Sequence, residues 1–102
     1  MRKGRVVVVG DRYTVNAFGL IGIEGFVADS FEKARSILTD LSKSPDVGVI
    51  LITRDVADMV QDLVVRISST QRWPVIATIP SRWSGVKPID VGDLLKRALG
   101  VG

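Results

Sequence analysis

The sequence contains no cysteine and no histidine. Without thiols or imidazoles the chain cannot form disulfides, a cysteine nucleophile or a Ser–His–Asp triad, and it lacks the usual protein ligands of zinc. Histidine is also missing as the proton shuttle that titrates closest to physiological pH. These absences exclude a large share of enzyme classes, and we expect no metal ion and no cofactor.

Long hydrophobic runs are missing as well. No apolar run reaches the ~20 residues that a membrane-spanning helix needs. The run of valines over residues 6–9 follows a basic N-terminus but is far too short for the core of a signal peptide. The sequence therefore predicts a cytoplasmic protein with no direct membrane insertion.

Charge is present in a mild and dispersed form. Fourteen lysines and arginines against eleven acidic residues give a net charge of +3. The densest basic cluster lies at the N-terminus and is typical of a solvated chain end. Two tryptophans have arginines beside them in the sequence, namely Arg72 with Trp73 and Arg82 with Trp83. These residues could form a platform on which nucleic-acid bases stack. Because no basic stripe accompanies them, we expect Trp73 to cover a sheet end, Trp83 to shield a loop, and no nucleic-acid partner.

The length and apolar content predict one ordered domain. The chain has 102 residues, of which 46% are hydrophobic and 25% charged, as in ordinary globular proteins. We expect residues 1–102 to form a single α/β domain. Within it, residues 1–80 are the core, residues 81–88 a hinge-like loop, and residues 89–102 a C-terminal helix.

Apolar runs and helical spacings alternate along the chain. Largely apolar segments predict strands over residues 6–9, 23–28, 47–52 and 75–79, and Glu24 with Gly25 favours an edge position for the second. A helix is expected after each strand. The first covers residues 14–21 with Thr14 as N-cap, and Gly19 and Gly22 weaken it. The order β-α-β-α-β-α-β-α predicts a four-stranded parallel sheet with helices on both faces, as in receiver and flavodoxin-like domains.

The remaining helices have their own start signals and apolar faces. Asp29 with Glu32 has the spacing of a capping box, Thr53 or Asp55 caps the next helix, and Asp90 caps the last. The expected inward-facing side chains of the second helix are Phe31, Ala34, Ile37, Leu38 and Leu41. Those of the third are Val56, Met59, Val60, Leu63, Val64 and Ile67.

Ligands of such sheets bind beyond the carboxyl ends of the strands, so the loops 10–14, 53–55 and 80–85 are the places to search. The first loop has none of the further glycines of a dinucleotide-binding turn, and the carboxylate of Asp11 repels phosphate. A receiver domain needs an aspartate at the end of the third strand, where this chain has Thr53. We therefore expect no catalytic residues.

Several segments resemble one family. Residues 7–15 (VVVGDRYTV) and 18–23 (FGLIGI) are similar to the opening of the F subunit of V/A-type rotary ATPases, with Ala17 where that family often has glycine. Residues 48–53 (GVILIT), 79–81 (IPS) and the closing helical segment are similar as well. The residues of the loop motifs are Gly10, Asp11, Thr14, Pro80 and Ser81. The segment 82–85 (RWSG) is bulkier than the family pattern.

The resemblance implies a non-catalytic component of the central stalk. Family members sit on the coiled coil of the D subunit and turn with it inside the catalytic A/B hexamer, and other subunits handle ATP. It also implies a C-terminal segment that modulates ATP hydrolysis by reaching toward the hexamer. The apolar face of the last predicted helix carries Val91, Leu94, Leu95 and Ala98, and it is either permanently docked or able to undock.

The partner surface and the alternative functions remain open at this point. An exposed apolar patch would mark the binding surface for the coiled coil. We expect it on the helical segment 18–21 and the strand 23–27, with Phe18, Ile21, Ile23 and Phe26, although phenylalanines there are equally typical of core residues. The alternative function is a stand-alone small-ligand-binding or receiver-like module that lacks phosphorylation chemistry.

Overall fold

The structure, a computed structural model, describes residues 4–80. It contains β1 (Arg5–Gly10), α1 (Arg12–Gly19), β2 (Glu24–Val27), α2 (Phe31–Lys43), β3 (Val47–Thr53), α3 (Arg54–Met59), α4 (Gln61–Thr70) and β4 (Val75–Ile79). The expected hinge-like loop 81–88 and C-terminal helix 89–102, including Val91, Leu94, Leu95 and Ala98, lie outside the described residues.

The four strands form one parallel sheet in the order β2-β1-β3-β4. Valine-rich β1 and the apolar β3 occupy the centre, where both faces of a strand are buried, and this explains why neither alternates with polar residues. The edge position expected for the second strand is confirmed. The prediction of an α/β domain with a four-stranded parallel sheet is confirmed as well.

The core lies on both faces of the sheet. On one face, α2, α3 and α4 cover alternate strand residues such as Val7, Val9, Ile50 and Ile52. On the other face, Phe18 of α1 packs with a cluster of Val8, Val49, Leu51 and Ile79. Since consecutive strand residues point to opposite faces, each central strand contributes to both clusters.

The first helix starts two residues earlier than predicted. Asp11, not Thr14, is the N-cap, because its carboxylate accepts hydrogen bonds from the backbone N–H groups of Tyr13 and Thr14. Thr14 is instead a buried residue of the first turn. The helix ends at Gly19, and Gly22 has a φ of 86°, a left-handed conformation that glycine adopts at little cost and that turns the chain into β2.

Other predicted boundaries also move by a few residues. β2 is shorter than residues 23–28, whereas β1 and β3 each extend beyond the predicted run. The N-cap of α2 is Ser30 rather than Asp29, since the Ser30 hydroxyl accepts from the N–H of Lys33 at 3.1 Å. The strand predicted over residues 75–79 is confirmed without change.

The third predicted helix is two helices that meet at Val60. The backbone of Val60 leaves helical geometry, with φ −124° and ψ 35°, while its side chain stays in the core. Met59, just before this break, is exposed rather than inward-facing.

Phe31 is also exposed, because it is the first residue of α2 and its ring lies beneath the guanidinium of Arg35 instead of the sheet. Thr53 occupies the N-cap position of α3 but makes no side-chain cap.

Candidate partner interface

The loop after β1 lies at the carboxyl end of the sheet and is closed by its own hydrogen bonds. One carboxylate oxygen of Asp11 accepts from the N–H groups of Tyr13 and Thr14, at 3.1 and 3.3 Å. The other accepts from the Thr14 hydroxyl at 2.6 Å. The carboxylate therefore stabilises the start of α1, where its charge also suits the positive end of the helix dipole.

Thr53 lies beside this loop, at the end of β3, and is fully buried. A Cβ on Gly10 would come within 2.6 Å of the Thr53 Cγ2 atom, so the two strand ends approach as closely as a glycine permits. The side chain that replaces the acceptor aspartate of a receiver domain is thus inaccessible as well as uncharged.

Three of the five loop-motif residues, Gly10, Asp11 and Thr14, come together at this edge. Pro80 is exposed at the end of the described chain, and Ser81 lies outside the described residues.

The described part of this edge, up to Pro80, has few groups suited to phosphate or metal chemistry. Within residues 4–80, no group of three or more acidic, histidine or cysteine side chains is arranged to hold a metal ion. The hydroxyl of Thr14 donates to Asp11, and the N–H groups at the start of α1 are occupied by the same carboxylate. The arrangement is that of a helix cap rather than of a ligand site.

The four residues predicted to bind a partner do not share one surface. Phe18 is only 1% exposed and belongs to the core. Ile23 packs against the same side of the sheet as Phe18, whereas Phe26 packs against the opposite side, because strand residues alternate. Ile21 differs from the other three, since 55% of its surface is exposed.

Exposed apolar side chains nevertheless lie on α1 and the turn that follows. Leu20 is 88% exposed and Tyr13 66% exposed. Leu20 lies within the segment 18–21 predicted to bind but is not among the four residues named for it, and Tyr13 lies outside that segment. Tyr13, the exposed Ala17 and Leu20 have the i, i+4, i+7 spacing that aligns side chains along one side of a helix. Leu20 retains helical φ and ψ, and its N–H still donates to the carbonyl of Asn16. We call Tyr13, Ala17, Leu20 and Ile21 the α1 stripe.

A sequence signal for the α1 stripe exists. An aspartate directly after a strand, followed three residues later by threonine, is a typical N-cap pattern. With Asp11 as cap, Thr14 and Phe18 fall on the buried side of the helix and Tyr13, Ala17 and Leu20 on the outer side. A helix that begins at Thr14 leaves Tyr13 outside it, so the prediction of Thr14 as N-cap does not align Tyr13 with Ala17 and Leu20.

Charges are arranged differently on the two sides of the sheet. The N-terminal turn of α1 carries the exposed Arg12 and no acidic residue. On the other side, Arg35 of α2 donates to both carboxylate oxygens of Asp62 on α4, at 3.2 and 3.1 Å. This hydrogen bonding, with the positive charge of Arg35, holds the pKa of Asp62 below its ordinary value.

None of the helices within residues 4–80 combines the length and the apolar character required to span a bilayer. The fold and its surfaces define a class: a small, doubly wound α/β domain with a capped strand-end loop and an apolar stripe on its first helix.

Comparison with known proteins identifies the family. Residues 6–97 match the family model described as ATP synthase (F/14-kDa) subunit, and the chain belongs to this family. It is 35% identical to the F subunit of the A-type ATP synthase of Pyrococcus furiosus over 103 residues, which cover 95% of each chain. It is also 30% identical to the A-type F subunit of Methanothermobacter thermautotrophicus, over 97% of this chain and 95% of that protein. The F subunit of the V-type ATP synthase of Clostridium botulinum is likewise 30% identical, over 95% and 94%.

Proposed function

We propose that this chain is a non-catalytic central-stalk component of an A/V-type ATP synthase or ATPase. It binds the coiled coil of the D subunit and turns with it, while other subunits bind and convert ATP. The observation that carries the proposal is the family match over residues 6–97. The strand-end loops are consistent with it, because Asp11 is committed to capping α1 and Thr53 is buried.

In this role the chain is peripheral to the membrane and cytoplasmic, held there through the complex. The proposed contact with the D subunit lies on the α1 side of the sheet, where Ile21 is exposed and Phe18 and Ile23 pack beneath the surface. Phe26 packs against the opposite face and is not part of this proposed contact. An apolar area of this kind, left open on a small domain, is a typical docking site.

Co-expression with the D subunit of the same organism tests the proposal. We expect the two chains to co-purify as a stoichiometric complex and to elute together in size-exclusion chromatography. The control is the same experiment with an unrelated antiparallel coiled coil of similar length, which should elute separately. Separate elution of the two chains, at concentrations well above micromolar, would refute the proposed function.

We further propose that the C-terminal helix regulates hydrolysis by contacting the catalytic A/B hexamer. The apolar residues expected on one side of that helix are Val91, Leu94, Leu95 and Ala98. A Leu94→Asp, Leu95→Asp double variant should change the ATP hydrolysis rate of the reconstituted complex by several-fold. The matched control is Lys96→Gln, since residue 96 lies on the opposite side of the expected helix. Equal rates for all three complexes would contradict regulation through this helix.

A further inference from the structure

The α1 stripe has the shape of a helix-binding surface. Tyr13, Ala17 and Leu20 form a row two helical turns long, about 10 Å from the first to the last Cα at ~1.5 Å per residue. Leu20 and Tyr13 are the most exposed large apolar side chains among the described residues. The small Ala17 lies between them in the row. Such an alternation of large and small side chains suits the packing of a second helix against the first.

The packing beneath the stripe fixes its geometry. Thr14 and Phe18, on the inner side of α1, are buried, and Phe18 packs against the central strands of the sheet. Asp11 holds the first turn with three hydrogen bonds. The stripe is therefore presented by an anchored helix, so a partner that binds it does not have to order it first.

Charge distinguishes between possible occupants. Arg12 lies one residue before Tyr13 and forms no ion pair within residues 4–80. A second copy of this chain offers no free carboxylate to it from α1, the turn that follows or the start of β2, because Asp11 is bound to its own helix and Glu24 pairs with Arg5. A partner with an acidic residue next to its apolar side chains can form an ion pair with Arg12. The α1 stripe of a second copy cannot form this ion pair.

We propose that the α1 stripe receives one amphipathic helix of a different chain, with apolar side chains at i, i+3 or i+4 and i+7 and a carboxylate placed to pair with Arg12. This inference rests on the proposed function, in which the coiled coil of the D subunit supplies such a helix. It goes beyond that function by naming Tyr13, Leu20 and Ile21 as the contact residues and Arg12 as the charged residue of the interface.

The test compares charge insertions on the two sides of the sheet. Leu20→Glu places a carboxylate in the stripe, and Val65→Glu places one on α4, where Val65 is 55% exposed. We expect Leu20→Glu to weaken the affinity for the D subunit by about thirtyfold or more, as for a central apolar contact, and Val65→Glu to leave it within about twofold. Arg12→Glu should weaken binding by about fivefold, less so at high salt. Thermal unfolding of each free variant checks that the fold is retained.

The outcomes separate the inference from the function on which it rests. If the wild-type chain binds the D subunit and Leu20→Glu binds equally well, the stripe is not the interface, whereas the proposed function stands. If Val65→Glu weakens binding instead, the contact lies on α4 and the inference is overturned. If the free chain self-associates and Leu20→Glu abolishes only that association, the occupant is a second copy and the inference is again overturned. If the wild-type chain does not bind the D subunit at all, the proposed function itself fails.

Discussion

At the scale of single residues, Thr53 shows a conflict between packing and hydrogen bonding. Its Oγ1 atom is buried and has no hydrogen-bond partner among the described residues. A buried hydroxyl without a partner costs about 1–3 kcal/mol of desolvation. We expect Thr53→Val, which keeps the shape and removes the hydroxyl, to raise the free energy of unfolding by about 1 kcal/mol in urea denaturation. Thr53→Ser is the control: it keeps the hydroxyl, loses a buried methyl group and should lower stability by a similar amount.

Gly10 and Thr53 form a pair whose substitutions should be coupled. Gly10→Ala places a Cβ 2.6 Å from the Thr53 Cγ2 atom, and β-branched threonine has little freedom to move away. The single change should therefore cost about 1–3 kcal/mol. In the Gly10→Ala, Thr53→Ala double variant the clash is gone, and the measured loss should be smaller than the sum of the two single losses. Strict additivity in the same denaturation series would argue against the contact.

At the scale of elements, the N-cap of α1 determines where the helix begins and so includes Tyr13 in it. Asp11→Ala removes three hydrogen bonds at the first turn and should lower the free energy of unfolding by about 1–2 kcal/mol. Asp11→Asn keeps an oxygen that accepts from the backbone and should recover most of this loss. If alanine and asparagine destabilise equally in thermal unfolding, the cap is not the source of the effect.

The link between α2 and α4 depends on the charge of Asp62. Because Arg35 lowers the pKa of Asp62 in the folded state, the pair stabilises the fold above the unfolded-state pKa, and this contribution is lost as pH falls through the folded-state pKa. Arg35→Gln should raise the pKa of Asp62 toward its ordinary value in an NMR titration. Both side chains reach solvent, so the accompanying loss of stability at neutral pH should be small. Lys33→Gln, on the same helix, should leave the titration of Asp62 unchanged.

At the scale of the whole molecule, periodicity alone predicts the sheet and its faces. The apolar runs of β1 and β3 identify buried central strands, and Glu24 with Gly25 identifies an edge. The exposed surface is harder to predict, because it depends on where each helix begins and where it is interrupted. A helix start at Asp11 instead of Thr14 adds Tyr13 to the exposed side of α1, and Met59 is exposed just before the break at Val60. The helix start depends on the hydrogen bonds of the Asp11 carboxylate, and the helix break depends on the backbone conformation of Val60. The pattern of apolar residues in the sequence predicts neither.

A nucleotide titration of the whole chain tests whether the protein is a stalk component or a small-ligand-binding module. In parallel sheets, phosphate groups generally bind at the carboxyl edge. Here Asp11 brings negative charge to that edge and occupies the N-terminus of α1, and Gly10 packs against Thr53. We therefore expect calorimetric titration with MgATP to show no saturable heat at millimolar concentrations. Titration of the same preparation with the D subunit is the positive control for active protein. Saturable MgATP binding that survives Leu20→Glu would favour a small-ligand module over a stalk component, since the nucleotide site would then be independent of the α1 stripe.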